Sequence, residues 1–210
     1  MIDFCTKLAF PDNEESLGTM KKCRELAGFF AMSCQSAETL RLKQGPKPLD
    51  VIQDVVTRWW STYAMLERLI HLRPYFDCMV REGLLYPAMN LTSEQWIIVE
   101  DVCAILAPFR FIQQKMEGEK YVTISLIPGL INEIRQGLLK VEENESTSNA
   151  AMRVVNVITA KFNDEFGTGA AGTVFSDHTI GGPSRRLKGF QLKTMVAAAL
   201  DPRTKNLAGT

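Results

Sequence analysis

LTSEQWIIVEDVCAILAPF, residues 91–109, says more about the fold class than any other stretch of the chain. Gln95 follows Thr92 at the spacing of a capping box. There the threonine hydroxyl accepts from the backbone N–H three residues on, and the glutamine side chain returns to the threonine N–H. Leu91 and Trp96 stand where a hydrophobic staple closes over a helix start. Ile97, Ile98, Val102, Ile105, Leu106 and Phe109 continue an apolar face at helical spacing. The stretch therefore predicts a helix capped by Thr92, with Pro108 bending its last turns.

Working outward, the same periodicity recurs. From Glu15 to Gln44 the apolar positions Leu17, Met20, Leu26, Phe29, Phe30, Met32 and Leu40 predict one helix, with Asp12, Asn13 and Ser16 as candidate caps. Gly18 and Gly28 weaken it by about 1 kcal/mol each. GPKPLD, residues 45–50, ends it in a turn or extended linker. A second helix starts near Thr57 or Ser61 and runs to about Arg81, with a kink or break at Pro74. After residue 116, Tyr121 to Ile124 lead into a helix over about Ser125–Val141, where Pro128 is tolerated in the first turn. Glu142–Asn149 is polar and reads as a loop. Ala151, Val155, Ile158, Phe162 and Phe166 then share one face of a helix over Ala150–Phe166. Residues 167–190, rich in glycine, read as a flexible loop, and a last short helix over about Leu192–Leu200 is closed by Asp201-Pro202. The expected fold is mainly α, a helical bundle with antiparallel neighbours, made of a lead-in over residues 1–14 and one domain over 15–210.

Composition narrows the function. An apolar share of 46% and a charged share of 23% suit a globular chain, and 210 residues can bury about 70% of their unfolded surface. The 24 basic and 24 acidic residues cancel, so any contact with DNA must come from a local patch. Five cysteines at wide spacing, with no CxxC pair, argue against a zinc site or a disulfide framework and read as reduced thiols. The only histidines, His71 and His178, have no second ligand at metal spacing, and neither a metal nor a cofactor is expected. No signal peptide is evident, and no run approaches the roughly 18 apolar residues of a membrane span.

DVVTRWWSTY, residues 54–63, is the one segment dense in chemistry. Arg58 can fork onto phosphate, Trp59 can stack on an exposed base, and Thr57, Ser61 and Thr62 can donate to phosphate oxygens or cap the helix that follows. The same residues also read as core anchors, with Arg58 simply paired to Asp54.

The longer string QDVVTRWWSTYAMLERLIHLR, residues 53–73, resembles the "DVxTRWNSTYxMLERLLxLR" stretch of hAT-family transposases and their zinc-finger BED relatives. Residues 21–40 resemble the helix before that motif. LTSEQWIIVEDVCAILAPF resembles "LTxxEWxxLExLxxILxPF", EKYVTISLIPGLINEI resembles "YPTISxxxPxIxxL", and AAALDPRTKNL, residues 197–207, resembles "AxxLDPRFKxL". The blocks keep the family's order from about residue 20 to 207. The resemblance implies a ribonuclease-H-like transposase whose helical insertion domain carries an Arg-Trp pair that handles flipped bases and hairpinned DNA ends. Arg58 and Trp59 match that pair, with Thr57 beside it, while Trp60 replaces the usual asparagine.

The family's acidic triad does not carry over. Asp54 and Asp201 are read as structural, as a cap or salt bridge and as a helix-ending turn. The expected protein is thus a truncated, transposase-like chain that handles DNA ends without cutting, binds DNA weakly and sits in the nucleus. The alternatives are a helical protein-interaction module, self-associating or taking a helical partner, and a transposon remnant without function. Other motifs carry less. The glycines after residue 166 lack the GK[ST] of a phosphate loop, SDHT at 176–179 is not a catalytic triad, and Arg185, Arg186, Lys188 and Lys193 read as a solvated face.

Overall fold

The computed structural model describes residues 14–55, 59–117, 124–166 and Leu200. Several expectations lie outside the described residues: the caps Asp12 and Asn13, Thr57 and Arg58, residues 121–123, the glycine-rich stretch, the basic cluster, the last helix apart from Leu200, and Asp201-Pro202. The elements are α1 (Glu14–Met32), α2 (Cys34–Gln44), α3 (Trp59–Arg81), a 3-10 turn (Pro87–Met89), α4 (Ser93–Met116), a second 3-10 turn (Ile124–Leu126), α5 (Ile127–Glu142) and α6 (Asn149–Phe166). No strand occurs among the described residues, and the mainly α expectation holds.

The Thr92 cap forms as read. Gln95 donates its backbone N–H to the Thr92 hydroxyl at 3.2 Å, and Thr92 N–H reaches the Gln95 side chain at 3.0 Å. Leu91 and Trp96 are both buried beside it. Such a cap is worth about 1 kcal/mol. α3 ends in a Schellman motif. Leu84 N–H returns to Met79 C=O, Gly83 N–H to Val80 C=O, and Gly83 takes the positive φ of 72° that the motif requires.

Three expectations need correction. The helix expected over Glu15–Gln44 is two helices. Ser33 leaves the helical region at φ −101°, ψ 97°, and its hydroxyl accepts from Ser36 N–H at 3.2 Å, so a serine that caps a new helix competes with continuing the old one. Ser16 is no cap, because it sits inside α1 and is buried. α3 is not broken at Pro74, which lies exposed, where solvent can take the place of the hydrogen bond its ring removes. α4 continues eight residues past Pro108 to Met116. The Pro108 ring packs on Gly137 of α5, where an added Cβ would stand 2.4 Å from the proline Cγ.

α3 and α4 run antiparallel. Trp60 faces Arg110 at one end, and Arg73 faces Trp96 and Glu100 at the other. α4 serves two cores. Its first half gives Trp96, Ile98, Val99, Val102 and Leu106 to a core built with α1, α2 and α3 around Phe30, Phe76 and Leu40. Its second half gives Ile105, Phe109 and Ile112 to a core shared with α5 and α6, closed by Phe162. α6 begins against the first core through Ala150, and the Ser148 N–H donates to Asp101 at 2.8 Å.

Candidate nucleic-acid interface

Trp59 opens α3, Thr57 and Arg58 precede it in the sequence, and the described residues on either side are fastened twice. Asp54 precedes them. Its carboxylate is almost wholly buried, accepts from Arg24 Nε of α1 at 2.9 and 3.1 Å, and accepts from the Thr62 hydroxyl of α3 at 3.1 Å. A buried carboxylate without a partner would cost several kcal/mol, so this pair ties the linker to two helices at once. Ser61 makes the second fastening. Val55 N–H donates to the Ser61 hydroxyl at 2.8 Å, and that hydroxyl donates to Val55 C=O at 3.0 Å.

The described residues up to Val55 and from Ser61 onward are therefore anchored to each other and to α1. Trp59 is the first residue of α3, while Thr57, Arg58 and the Trp59 side chain lie outside the described residues. Ser61 and Thr62, read from sequence as phosphate donors or caps, are buried, and their hydroxyls are engaged within the protein. Asp54 does form the salt bridge expected of it, and the partner seen is Arg24.

Two features escaped the sequence reading. Arg110 of α4 sets its guanidinium 5.5 Å from the centroid of the Trp60 ring, a cation–π contact worth about 0.5–1 kcal/mol at an exposed site. Nothing near Arg110 in the sequence marks it, since its partner is on another helix. Below the site, the Cys23 thiol is pushed up to about 12, first by burial and then by the nearby Asp54 charge, against the pull of Arg24. Burial, followed by the Glu67 charge, pushes Cys103 up to about 12 as well. Neither thiol is primed as a nucleophile. Among the described residues no three His, Cys, Asp or Glu side chains gather as metal ligands, and no helix is long and apolar enough to cross a membrane.

Fold and motif define a class. Residues 14–105 match the family model of the ZBED1 RNase-like helical domain, and the chain is a hAT/ZBED transposase-like protein. It is 36% identical over 141 residues to "Putative transcriptional regulator tpeD" of Talaromyces stipitatus, a match covering 67% of this chain and 16% of that protein. It is 29% identical over 83 residues to "Zinc finger BED domain-containing protein 4" of Homo sapiens, covering 37% of this chain and 6% of that one. The chain thus spans a small part of the length of these curated relatives. No solved structure matches it.

Proposed function

We infer that this helical domain is a DNA-end-handling element of a ribonuclease-H-like transposase lineage, that Arg58 and Trp59 are its contact residues with Thr57 beside them, and that it performs no strand cutting. One observation carries the reading: the Arg-Trp pair falls on a short segment whose two ends are held by the Asp54–Arg24–Thr62 cluster and the Ser61–Val55 bracket. Anchoring of the described flanking residues lowers the ordering cost of a contact made at the start of α3. The relatives' printed names, a transcriptional regulator and a BED zinc-finger protein, agree with nuclear work on DNA.

The non-catalytic part of the reading is supported by how the described acids are used. Asp54 holds Arg24, Asp50 holds Arg41, Glu82 holds Lys43, Glu100 holds Arg73, and Asp101 caps the Ser148 N–H. Each is committed to structure, and among the described residues no three His, Cys, Asp or Glu side chains gather where they could hold a metal ion. A complete acidic triad of this chain's own is therefore not part of the proposal.

Fluorescence anisotropy with hairpin-ended and single-stranded DNA, at low and at physiological salt, tests it. Binding should weaken steeply as salt rises, and Trp59→Ala should cost about 1–3 kcal/mol, the usual loss of one base-stacking ring. The reading fails if the 210-residue chain binds neither DNA at low salt. In that event, concentration-dependent oligomers on a sizing column would favour the protein-interaction alternative, for which Met32, Leu42 and Tyr86 are exposed.

A further inference from the structure

The head of α3 is faced from across the bundle by the last turns of α4, and the side chain that arrives there is Arg110. The arginines that brace α1, α2 and α3 already have oxygen partners. Arg24 is on Asp54, Arg41 on Asp50, Arg68 on the Asp50 carbonyl and Arg73 on Glu100. Among the described residues no oxygen accepts from Arg110, whose contact is the face of Trp60. In a chain of zero net charge, an uncompensated cation beside the candidate site has a larger effect on an approaching polyanion than the molecule's overall field. Phe111, next along α4, is about half exposed, with the Lys115 ammonium 4.2 Å from its ring centroid. Lys115 also reaches Glu133 at 3.6 Å, so the weight falls on Arg110.

We propose that Arg110, whose guanidinium lies over the Trp60 ring, is a phosphate contact for unpaired DNA, extending the contact site proposed at the start of α3 onto α4. This rests on the DNA-handling reading of that site. A guanidinium held over an indole by cation–π attraction does not spend its N–H donors on an oxygen there, and those donors are the part that forks onto phosphate. Cationic surface combined with aromatic rings is the means by which proteins hold single strands, with phosphates on the cations and bases on the rings. A merely structural role for Arg110 predicts a different outcome, because a brace on Trp60 would affect stability and leave the salt dependence of binding alone.

The test uses the same anisotropy assay on the full 210-residue chain, with a fluorescent single strand of about 16 nucleotides. Arg110→Ala should weaken binding roughly tenfold at low salt. It should also lower the slope of log K against log salt by about 0.7, the share of one phosphate on a single strand. Arg110→Lys should keep the slope, because it keeps the charge. Arg110→Gln is read in place of the alanine variant if thermal melting shows that variant unfolded. Should Trp59→Ala weaken binding while Arg110→Ala and Arg110→Gln leave affinity and slope unchanged, this proposal is overturned and the Arg58–Trp59 reading stands. Affinity lost with an unchanged slope would make Arg110 a brace for Trp60 and overturn the phosphate contact too. No DNA binding by the unaltered chain removes both readings together.

Discussion

The two halves of α4 sit in different surroundings. The first lies in a core drawn from α1, α2 and α3, where Met20, Phe30, Phe76 and Trp96 meet. The second lies in a plainer core, where α5 and α6 each turn one aliphatic face inward and Phe109 meets Phe162 edge to face, with centroids 6.4 Å apart. The family match ends at residue 105, at the point on α4 where one core hands over to the other. The family-matched part thus contains Arg58 and Trp59 in its sequence, together with the Arg24–Asp54 ion pair that fastens the residues before them. Residues 106–166 supply a three-helix buttress that places Arg110 opposite Trp60. A single helix shared by both makes the halves mechanically dependent.

The strongest test of that dependence removes one large ring from each core. Phe76→Ala in the first and Phe162→Ala in the second should each cost about 3–5 kcal/mol. Urea unfolding is followed by far-UV circular dichroism and by the fluorescence of Trp59, Trp60 and Trp96, all of which lie in the first half of the chain. Because α4 belongs to both cores, the two signals should coincide for both variants. A Phe162→Ala protein whose circular dichroism melts before its tryptophan signal would split the molecule in two.

Alkaline pH should separate the halves chemically, because every cysteine lies at or before residue 103. Burial raises the Cys23 and Cys103 thiols from 9.0 to about 12, so the native state keeps protons that the unfolded chain releases near pH 9. The stabilisation is complete below pH 9 and is lost as pH climbs from 9 towards 12, with a slope approaching about 1.4 kcal/mol per pH unit for each thiol. Urea midpoints measured on either side of pH 9 should show this fall, and Cys23→Ala and Cys103→Ala should each flatten it. An unchanged slope in both variants would place the alkaline sensitivity elsewhere.

The smallest expected effect sharpens the contact between α4 and α5. Gly137→Ala gains helix propensity but drives a methyl into the Pro108 ring, and overpacking of this kind costs about 1–3 kcal/mol. Gly18→Ala on α1 meets nothing within 4 Å and should stabilise by up to about 1 kcal/mol. Opposite shifts in urea midpoint are expected. A stabilising Gly137→Ala would mean that α5 slides freely on α4.

The halves also differed in how openly their sequence showed them. α5 and α6 were placed within two residues, Ser125–Val141 against Ile127–Glu142 and Ala150–Phe166 against Asn149–Phe166, because helices with one buried face show that face as a clean period. The bend at Ser33 was invisible. α1 and α2 carry apolar residues on both sides of it, and a lone serine has several uses besides capping. At the candidate site, Asp54 was legible as a structural acid, but its partner Arg24 lies 30 residues away and no local signal joins them. Ser61 and Thr62 were left open between phosphate donors and caps, because a hydroxyl near a helix start can as well be buried and satisfied within the protein.

Alone, the amino-acid order settled what local hydrogen bonding and spacing control. That covers the helical class, the Thr92 cap, and the ordered motifs that mark the transposase-like family. Tertiary structure alone decided which core each half of α4 joins, that Arg24 captures Asp54, and that Arg110 lies over Trp60. The reason is physical: caps and periods are set by residues within a few positions of each other, whereas a contact across 50 residues depends on how two helices cross and which side chains that crossing brings within reach.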